Sequence, residues 1–441
     1  MSGGIPKPVA NADRDYFRFR MSPKFLPDGK HFLYTGVGTN PADSGVYFAS
    51  LDGKEDRLIL KEPSRVVYAS GYLLYSRSTE LTAQVFDPDR GQLKGEARRL
   101  IEGVRSEDPF GGVFTVSGNG MLAYQPGDEE SGRTLVLFDM SGKNLGAIGG
   151  AAVYYDLRLS PDGQRLAFAM GAQNSDIWVH ELARGARMRL TFDPDTDKGV
   201  PVWSPDGTRI LFGTLRGGKA RVGIYEKASN GSGSEELLLA ADPSDPEVWA
   251  TDWSRDGRFV IFCRGDLFSR ARSDIWILPL VGDRKPRLLV RTPVAAYDGQ
   301  FSPDERWIAY TSKESGQDEV YVMPFDATRF LDTGKTTAET SPRDRWEVST
   351  DGGQFPKWRA DGKEIFYVTT GGKIMVVEVN GAANHFEVGK PHLLFRTTLS
   401  AATPPYDVSA DGKRIVINTP GGESNTALRV VINWTTLLNN R

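Results

Sequence analysis

Short apolar segments separated by polar turns run along the whole chain, and the pattern restarts at regular intervals. The turn Ser-Pro-Asp-Gly at residues 160–163 precedes the apolar segment 165–168, and two further segments follow before the same turn recurs at 204–207. Apolar runs of this length indicate strands rather than helices. Proline and glycine supply the backbone angles that a tight turn needs. The pattern therefore predicts a repeat protein built from strands.

Nine such units can be counted. Equivalent turn positions in the more regular units lie about 44 to 57 residues apart, which suits a propeller blade of four strands at roughly 40–50 residues. We therefore expect an all-β, closed β-propeller of four-stranded antiparallel blades. Nine blades are favoured, and eight are the alternative because the second unit lacks a regular turn. The expected units cover residues 16–62, 63–104, 105–150, 151–198, 199–247, 248–295, 296–352, 353–402 and 403–438.

The two ends of the sequence predict how the ring closes. The ninth unit has three strand segments and no fourth. Residues 5–11 resemble the last strand segment of another unit, at 285–290, and are expected to complete the ninth blade. Radial closure would protect the free edges that strand-only repeats leave. Residues 1–441 are thus treated as a single domain and as a monomer.

Composition argues against several classes of protein. The formal net charge is −3, from 54 basic and 57 acidic residues, so we expect no nucleic acid partner and no attraction to an anionic membrane. The sequence has no apolar stretch near the roughly 20 residues of a membrane span. Cys263 is the one cysteine and lies in an apolar segment, which predicts a buried, unreactive thiol and no disulfide.

The turns and two Asp-Ile-Trp motifs, at 176–178 and 274–276, resemble the PD40 (WD40-like) repeats of TolB-type propellers. A closer resemblance, over nearly the whole chain, is to the C-terminal repeat region of large bacterial serine/threonine kinases. The motifs that carry it lie at residues 25–34, 251–259, 299–312, 406–412 and 431–434. In that group a kinase domain is followed by a membrane span and then by repeats outside the membrane. The resemblance implies a sensor or scaffold module excised from a membrane-anchored kinase and located on the periplasmic side.

Motifs that mark two classes of enzyme are absent from the sequence. It contains neither the His-Arg-Asp and Asp-Phe-Gly motifs of a kinase nor the Gly-x-Ser-x-Gly motif of a hydrolase. We therefore expect a binding module that is not an enzyme and that uses no cofactor. Two alternatives remain, a protein-docking platform with no small-molecule ligand and a hydrolase or lyase that acts in the channel.

One acidic run is a weak candidate for a metal site. Asp193, Asp195 and Asp197 alternate along the chain, and alternating carboxylates can converge on a hard cation. The run lacks the glycine and the terminal glutamate of an EF-hand loop, and it falls where a turn between blades is expected. A solvated loop is therefore the favoured interpretation, and no metal site is assigned.

The candidate ligand site lies on the first strand of each unit. The residue two positions before each turn should face the axis of the ring, since it alternates with a core residue. The polar candidates at this position are Lys24, Arg158, Asp252, Gln300, Lys357 and Asp407. Aromatic residues expected at the entrance include Tyr155, Trp249 and Tyr297, with Tyr154, Phe355 and Tyr406. These residues either satisfy one another or hold a small polar ligand, a peptide or a protein.

Overall fold

The computed structural model is an all-β chain. It describes residues 17–38, 41–77, 79–105, 111–127, 132–171, 175–193, 196–216, 222–242, 247–265, 267, 272–331, 345–382, 385–399, 405–420 and 427–439. Residues 5–11, expected as the closing strand, lie outside this part. Helical structure in the described residues is confined to Pro41–Asp43, Thr328–Leu331 and Trp434–Asn439. None of these helices is long and apolar enough to cross a membrane.

The chain divides into two compact units, whereas a single domain was expected. The first comprises residues 1–131 and 421–441 and holds three antiparallel sheets. Sheet 1 contains β1 (Phe17–Phe25), β2 (His31–Gly38), β3 (Gly45–Ser50) and β4 (Asp56–Leu60). Sheet 2 contains β5 (Val66–Ala69), β6 (Tyr72–Arg77), β7 (Glu80–Asp87) and β8 (Gln92–Ile101). Sheet 3 contains β9 (Phe114–Val116), β10 (Met121–Tyr124) and the last strand of the chain, β36 (Arg429–Ile432).

The second unit comprises residues 132–420 and holds six antiparallel sheets. Sheet 4 joins β11 (Arg133–Asp139) and β12 (Asn144–Ala152) to β34 (Tyr406–Val408) and β35 (Arg414–Pro420). Sheet 5 contains β13 (Tyr154–Leu159), β14 (Arg165–Met170), β15 (Asp176–Glu181) and β16 (Arg187–Arg189). Sheet 6 contains β17 (Asp197–Trp203), β18 (Arg209–Arg216), β19 (Gly223–Ala228) and β20 (Glu236–Ala240).

The other three sheets of this unit follow one another along the chain. Sheet 7 contains β21 (Val248–Trp253), β22 (Phe259–Gly265), β23 (Ser273–Pro279) and β24 (Arg287–Val290). Sheet 8 contains β25 (Ala296–Phe301), β26 (Trp307–Ser312), β27 (Glu319–Pro324) and β28 (Trp346–Glu347). Sheet 9 contains β29 (Gln354–Trp358), β30 (Glu364–Val368), β31 (Lys373–Ala382), β32 (His385–Val388) and β33 (His392–Arg396).

Seven of the nine expected units correspond to one sheet each, and two do not. The strands expected in the third unit are divided between sheets 3 and 4, because β10 pairs with β9 and β36 while β11 pairs with β12 and β35. The strands of the ninth unit are divided in the same way. Pairing between strands some 280 residues apart leaves no local trace in the repeat, so counting turns could not reveal it. The all-β class and the four-stranded antiparallel sheets are confirmed.

The turns form for the reason that their composition suggests. In the turn at 204–207, the Ser204 hydroxyl donates to Asp206 Oδ1 at 2.6 Å and accepts from the Arg209 amide at 2.9 Å. The same pair of bonds is present at the turns that begin with Ser160, Ser254, Ser302 and Ser409. Side chain and backbone thus close each corner together. The aspartates of these turns are therefore turn formers.

Apolar clusters join the sheets of the second unit in series. Each sheet from 4 to 9 shares a buried cluster with the next in number. Sheet 9 also shares one with sheet 4, in which Phe355 and Phe366 pack with Tyr406 and Ile415. Aromatic residues near the middle of the second strands, such as Phe212 and Phe262, are fully buried in these clusters. The core of this unit therefore lies between the faces of neighbouring sheets.

Sheet 3 has three strands and leaves an apolar surface open. Met121, Val430 and Ile432 share its outer face, because Met121 pairs with Ile432 and Ala123 pairs with Val430. All three side chains are exposed, and Ile432 is 71% exposed. β36 forms the edge of the sheet. Its backbone groups on that side have no neighbouring strand within the described residues.

Replacing Gly412 with alanine is expected to destabilise the second unit by about 1–2 kcal/mol more than Gly29→Ala destabilises the first. Both glycines have a left-handed φ, +65° and +64°, so alanine is strained at either position. A Cβ built on Gly412 would lie 2.6 Å from Cδ of Arg359, whereas one built on Gly29 meets no atom within 4 Å. Urea unfolding of the two variants measures the difference. Equal losses would mean that the turns of sheets 9 and 4 do not touch in solution.

Candidate functional site

The first strands of successive sheets in the second unit lie beside one another, and those of sheets 5 to 9 carry an irregularity at the same place, whereas β34 of sheet 4 pairs regularly. In β13, for example, pairing with β14 shifts between Tyr155 and Leu157. Equivalent shifts occur in β17, β21, β25 and β29. Asp156, Val200, Asp298 and Phe355 have positive φ at these bulges, between 36° and 59°. A bulge re-aims the side chains that follow it, and the candidate polar residues come directly after.

Asp407 is the centre of the cluster that these strands form. Its Oδ1 lies 3.3 Å from Nζ of Lys357 and 3.8 Å from Nη1 of Arg158. Its Oδ2 accepts a hydrogen bond of 2.8 Å from the Leu159 amide. Side chains from β29, β13 and β34 thus meet at one carboxylate, and a residue of sheet 4 is tied to the backbone of sheet 5.

Arg158 extends from sheet 5 to sheet 7. Its Nη2 donates to the Thr251 carbonyl at 3.1 Å, and Gln300 Nε2 donates to the same oxygen at 2.6 Å. The corresponding residue of the sheet between them is Val202, which is buried and apolar and cannot accept a hydrogen bond through its side chain. Nη1 of Arg158 makes no hydrogen bond within the described part of the chain. The guanidinium therefore keeps an unused donor group inside the cluster.

Asp252 completes the cluster. Its Oδ2 accepts a hydrogen bond of 2.7 Å from the Phe301 amide, which ties sheet 7 to sheet 8. Burial raises the pKa of Asp252 to about 7, against the opposing effects of that hydrogen bond and of Arg158. Burial also raises the pKa of Asp407 to about 6, again opposed by Arg158. The structure thus brings together Arg158, Asp252, Gln300, Lys357 and Asp407, with two carboxyls that titrate near neutral pH.

The stability of the second unit is expected to decrease as the pH rises from 5 to 8. Because the pKa of Asp252 is about 7 in the folded chain and its ordinary value is 3.8, the folded chain keeps a proton that the unfolded chain has released. The stabilisation is full below the ordinary value of 3.8 and is lost as the pH rises towards 7. Between pH 5 and 7 the loss is on the order of 2 kcal/mol, because each pH unit counts for about 1.4 kcal/mol at most.

Asp252→Asn tests this expectation, because asparagine keeps an acceptor for the Phe301 amide and cannot ionise. The melting temperature of this variant should vary less with pH than that of the parent, and at pH 8 it should be at least as high. Asp274→Asn, at an exposed ion pair with Arg291, serves as the control and should keep the slope of the parent. An unchanged slope in Asp252→Asn would show that this carboxyl does not titrate in the range.

Other candidates do not join the cluster. Lys24 is exposed and belongs to the first unit. Trp249 and Tyr297 are each 1% exposed and pack in the apolar cluster between sheets 7 and 8, so the expectation that they line an entrance is wrong. Tyr155 stacks under the guanidinium of Arg133, 4.9 Å from its ring centre. The alternation rule fails for these aromatic residues because they precede the bulge, and an extra residue shifts the faces of a strand.

The remaining entrance candidates are also core residues. Tyr154 and Tyr406 are fully buried, and Phe355 is nearly so. Tyr406 donates from its hydroxyl to the Phe355 carbonyl at 2.7 Å. These side chains hold neighbouring sheets together and have no surface to offer a ligand.

The acidic run offers little to a cation. Asp195 lies outside the described residues. Asp197 accepts from both the amide and the hydroxyl of Ser175, at 2.7 and 2.6 Å. The ammonium of Lys198 donates to the Asp193 carbonyl at 2.8 Å, so a positive charge is already present beside the run. Within the described residues, no group of three or more His, Cys, Asp or Glu side chains is arranged to hold a metal ion.

Sequence reasoning missed the bulges and the acidic residues at them. Asp156 and Asp298 are buried and stand four positions before the turn serines of sheets 5 and 8. Asp156 Oδ2 accepts from the Val200 amide at 2.9 Å and so joins sheet 5 to sheet 6. Aspartate tolerates the left-handed conformation better than most residues. An aspartate four positions before the turn serine recurs in these two sheets, and this recurrence could have indicated the bulges from the sequence.

Comparisons with known proteins show limited similarity. No family model matches the chain. The uncharacterized peptidase YuxL of Bacillus subtilis is 26% identical over 179 residues, which are 38% of this chain and 24% of the peptidase. The uncharacterized protein Atu1656 of Agrobacterium fabrum is 26% identical over 217 residues, 45% of this chain and 67% of that protein. A solved structure assigned as TolB from Agrobacterium tumefaciens has a TM-score of 0.48 and 16% identity, and the match covers 68% of this chain and 98% of that one.

The chain thus spans about a quarter of the length of the peptidase that it matches. These similarities cover parts of the chain, and none of them assigns the chain to a family.

Proposed function

We propose that residues 132–420 form a closed β-propeller of six blades, in place of the nine expected for the whole chain. The six consecutive apolar clusters support this arrangement, since the one between sheets 9 and 4 would complete the circle. Two hydrogen bonds support it further, from Tyr406 to the Phe355 carbonyl and from the Leu159 amide to Asp407. Closure of this kind leaves no exposed sheet face within the ring.

We propose that this propeller is a binding or sensor module without catalytic activity. The observation that carries the proposal is the convergence of Arg158, Asp252, Gln300, Lys357 and Asp407 from five first strands. Charged groups are costly to bury, and apolar residues would fill the axis at lower cost. Their retention around an Arg158 nitrogen without a hydrogen bond is explained if they serve a polar ligand.

A thermal-shift screen of the whole chain tests the binding function. The panel contains peptidoglycan fragments, oligosaccharides, short peptides, organic acids and divalent cations. A ligand at about 100 times its dissociation constant should stabilise the fold by roughly 2.7 kcal/mol. The shift should disappear in Arg158→Ala and in Lys357→Ala. It should persist in Lys24→Ala, because Lys24 is exposed in the other unit.

Two other outcomes would count against a small-molecule sensor. A flat screen, followed by capture of a defined protein by the purified chain, would favour the protein-docking platform. Turnover of a panel compound that is lost in the Arg158 variant would favour an enzyme in the channel. The link to a membrane-anchored bacterial kinase and the location outside the membrane rest on the sequence resemblance, and both remain part of the proposal.

A further inference from the structure

Arg158, Asp252, Gln300, Lys357 and Asp407 are called the axial cluster. Its two cations have more N–H groups than the contacts that they make with acceptors. Arg158 presents five N–H groups and Lys357 presents three. The contacts that they make are with one oxygen of Asp407 and with the Thr251 carbonyl. Nη1 of Arg158 makes no hydrogen bond in the described residues, and its ion pair with Asp407 is long, at 3.8 Å. Both cations are nearly enclosed, with 11% and 7% of their side chains exposed.

We propose that the axial cluster binds a small ligand through a carboxylate held between Arg158 and Lys357. This inference rests on the binding function proposed above and names the chemical class of its ligand. A carboxylate supplies two oxygens in the plane of a guanidinium fork, which is the geometry that arginine pairs with best. The strand between those that carry Arg158 and Asp252 has Val202 at the corresponding position, and this side chain packs in the apolar cluster between sheets 6 and 7, so it brings no further charge to the site.

The protonation of the acidic residues in the cluster determines the pH range in which such a ligand can bind. Asp407 contacts both cations, and Asp252 interacts electrostatically with Arg158. Asp156 and Asp298 lie at the bulges of the first strands that carry Arg158 and Gln300. Ionised carboxylates would repel an added anion. The pKa of Asp252 is about 7 and that of Asp407 about 6, so both can take up a proton near neutral pH. A protonated carboxyl also becomes a hydrogen-bond donor to the ligand.

Binding of the carboxylate should therefore be linked to proton uptake. The affinity should increase as the pH falls from 8 to 6, by up to about tenfold per pH unit for each proton taken up. A cation or an uncharged sugar would show the opposite trend or none. The sign of the pH dependence thus separates the ligand classes.

Isothermal titration calorimetry of the whole chain tests the inference with acetate, propionate and succinate as probes. Choline and glucose serve as the cationic and uncharged comparisons. Titrations at pH 6, 7 and 8, each in two buffers of different ionisation enthalpy, measure both the affinity and the number of protons taken up. We expect binding of at least one carboxylate, with net proton uptake near pH 7.

Variants locate the site. Arg158→Gln should weaken carboxylate binding at least tenfold, and Arg158→Lys, which keeps the charge and loses the fork, should weaken it less. Arg291→Gln, at an exposed arginine paired with Asp274, is the matched control and should leave the binding unchanged. Proton uptake is measured on the parent chain, so it remains decisive even if an Arg158 variant fails to fold.

The experiments distinguish a wrong ligand class from a wrong binding function. If glucose or choline binds and no carboxylate does, the ligand class is wrong while the binding function stands. If a carboxylate binds with no proton uptake and equally well to Arg158→Gln, it binds elsewhere and the inference is overturned. If no compound in this panel or in the thermal-shift screen binds at any pH, both the inference and the proposed function fail.

Discussion

Replacing Asp176 with alanine is expected to destabilise the second unit by about 3–5 kcal/mol, because the change leaves a buried ammonium without its carboxylate. Asp176 Oδ1 accepts from Thr191 Oγ1 at 2.7 Å and from Lys198 Nζ at 3.3 Å, and Oδ2 accepts from Arg189 at 2.5 and 3.0 Å. The side chain of Lys198 is fully buried. Urea unfolding of the purified variant measures the loss.

A second substitution separates the charge from the packing. Lys198→Met in the Asp176→Ala background removes the uncompensated ammonium, so the double variant should be more stable than Asp176→Ala alone. The repeat also supplies a matched control. Asp274 stands at the same place in the second Asp-Ile-Trp motif, and its partner Arg291 is half exposed. Asp274→Ala should cost less than about 1 kcal/mol, and an equal cost for both aspartates would refute the role of burial.

Replacing Tyr406 with alanine is expected to cost about 3–5 kcal/mol, as truncation of a fully enclosed aromatic side chain does. The ring lies in the apolar cluster between sheets 9 and 4, and the hydroxyl donates to the Phe355 carbonyl at 2.7 Å. Tyr406→Phe should cost about 1–3 kcal/mol, because it leaves that buried carbonyl without its donor. Calorimetric melting of both variants measures the two contributions.

Tyr68 provides the comparison for Tyr406. It is only partly buried, and it packs edge-on against Phe86 with ring centres 5.8 Å apart. Tyr68→Ala should therefore destabilise the first unit less than Tyr406→Ala destabilises the second. If the Tyr406 variant melts at the temperature of the parent, sheets 9 and 4 do not pack together in solution, and the six-bladed ring would have to be abandoned.

Local features of the fold were predictable from the sequence because they depend on neighbouring residues. The Ser-x-Asp-Gly corners and the apolar second strands follow from turn chemistry and strand periodicity. Pairing partners distant in the chain were not predictable in this way. β11 is joined to β35, and β10 to β36, by backbone bonds that any apolar strand can make. The repeat therefore predicts sheets correctly where their strands are consecutive and fails where the chain leaves one unit for the other.

The candidate site was also predictable only where it depends on neighbouring residues in the sequence. Counting two positions back from each turn found Arg158, Asp252, Gln300, Lys357 and Asp407. The first four follow a bulge and keep a constant register with the turn, and Asp407 lies in the regular strand β34. The expected entrance failed for Trp249 and Tyr297, which precede the bulge. The acceptor at Thr251 could not be found from residue type, since its contribution to Arg158 and Gln300 is a backbone carbonyl.

The placement of β36 beside β10 has a consequence for synthesis of the protein on the ribosome. These neighbouring strands of sheet 3 are separated by all of sheets 4 to 9 in the sequence, so β36 is made roughly 300 residues after its partner. Residues 132–420 can complete their sheets while sheet 3 still waits for its third strand. During that interval the inner face of β10, with Leu122 and Tyr124, lacks Trp434 and Val431, which later pack in the same cluster. The nascent chain thus carries an open apolar face through most of its translation. In the second unit, β11 and β12 wait almost as long for β35, so shielding by a chaperone would matter for both units.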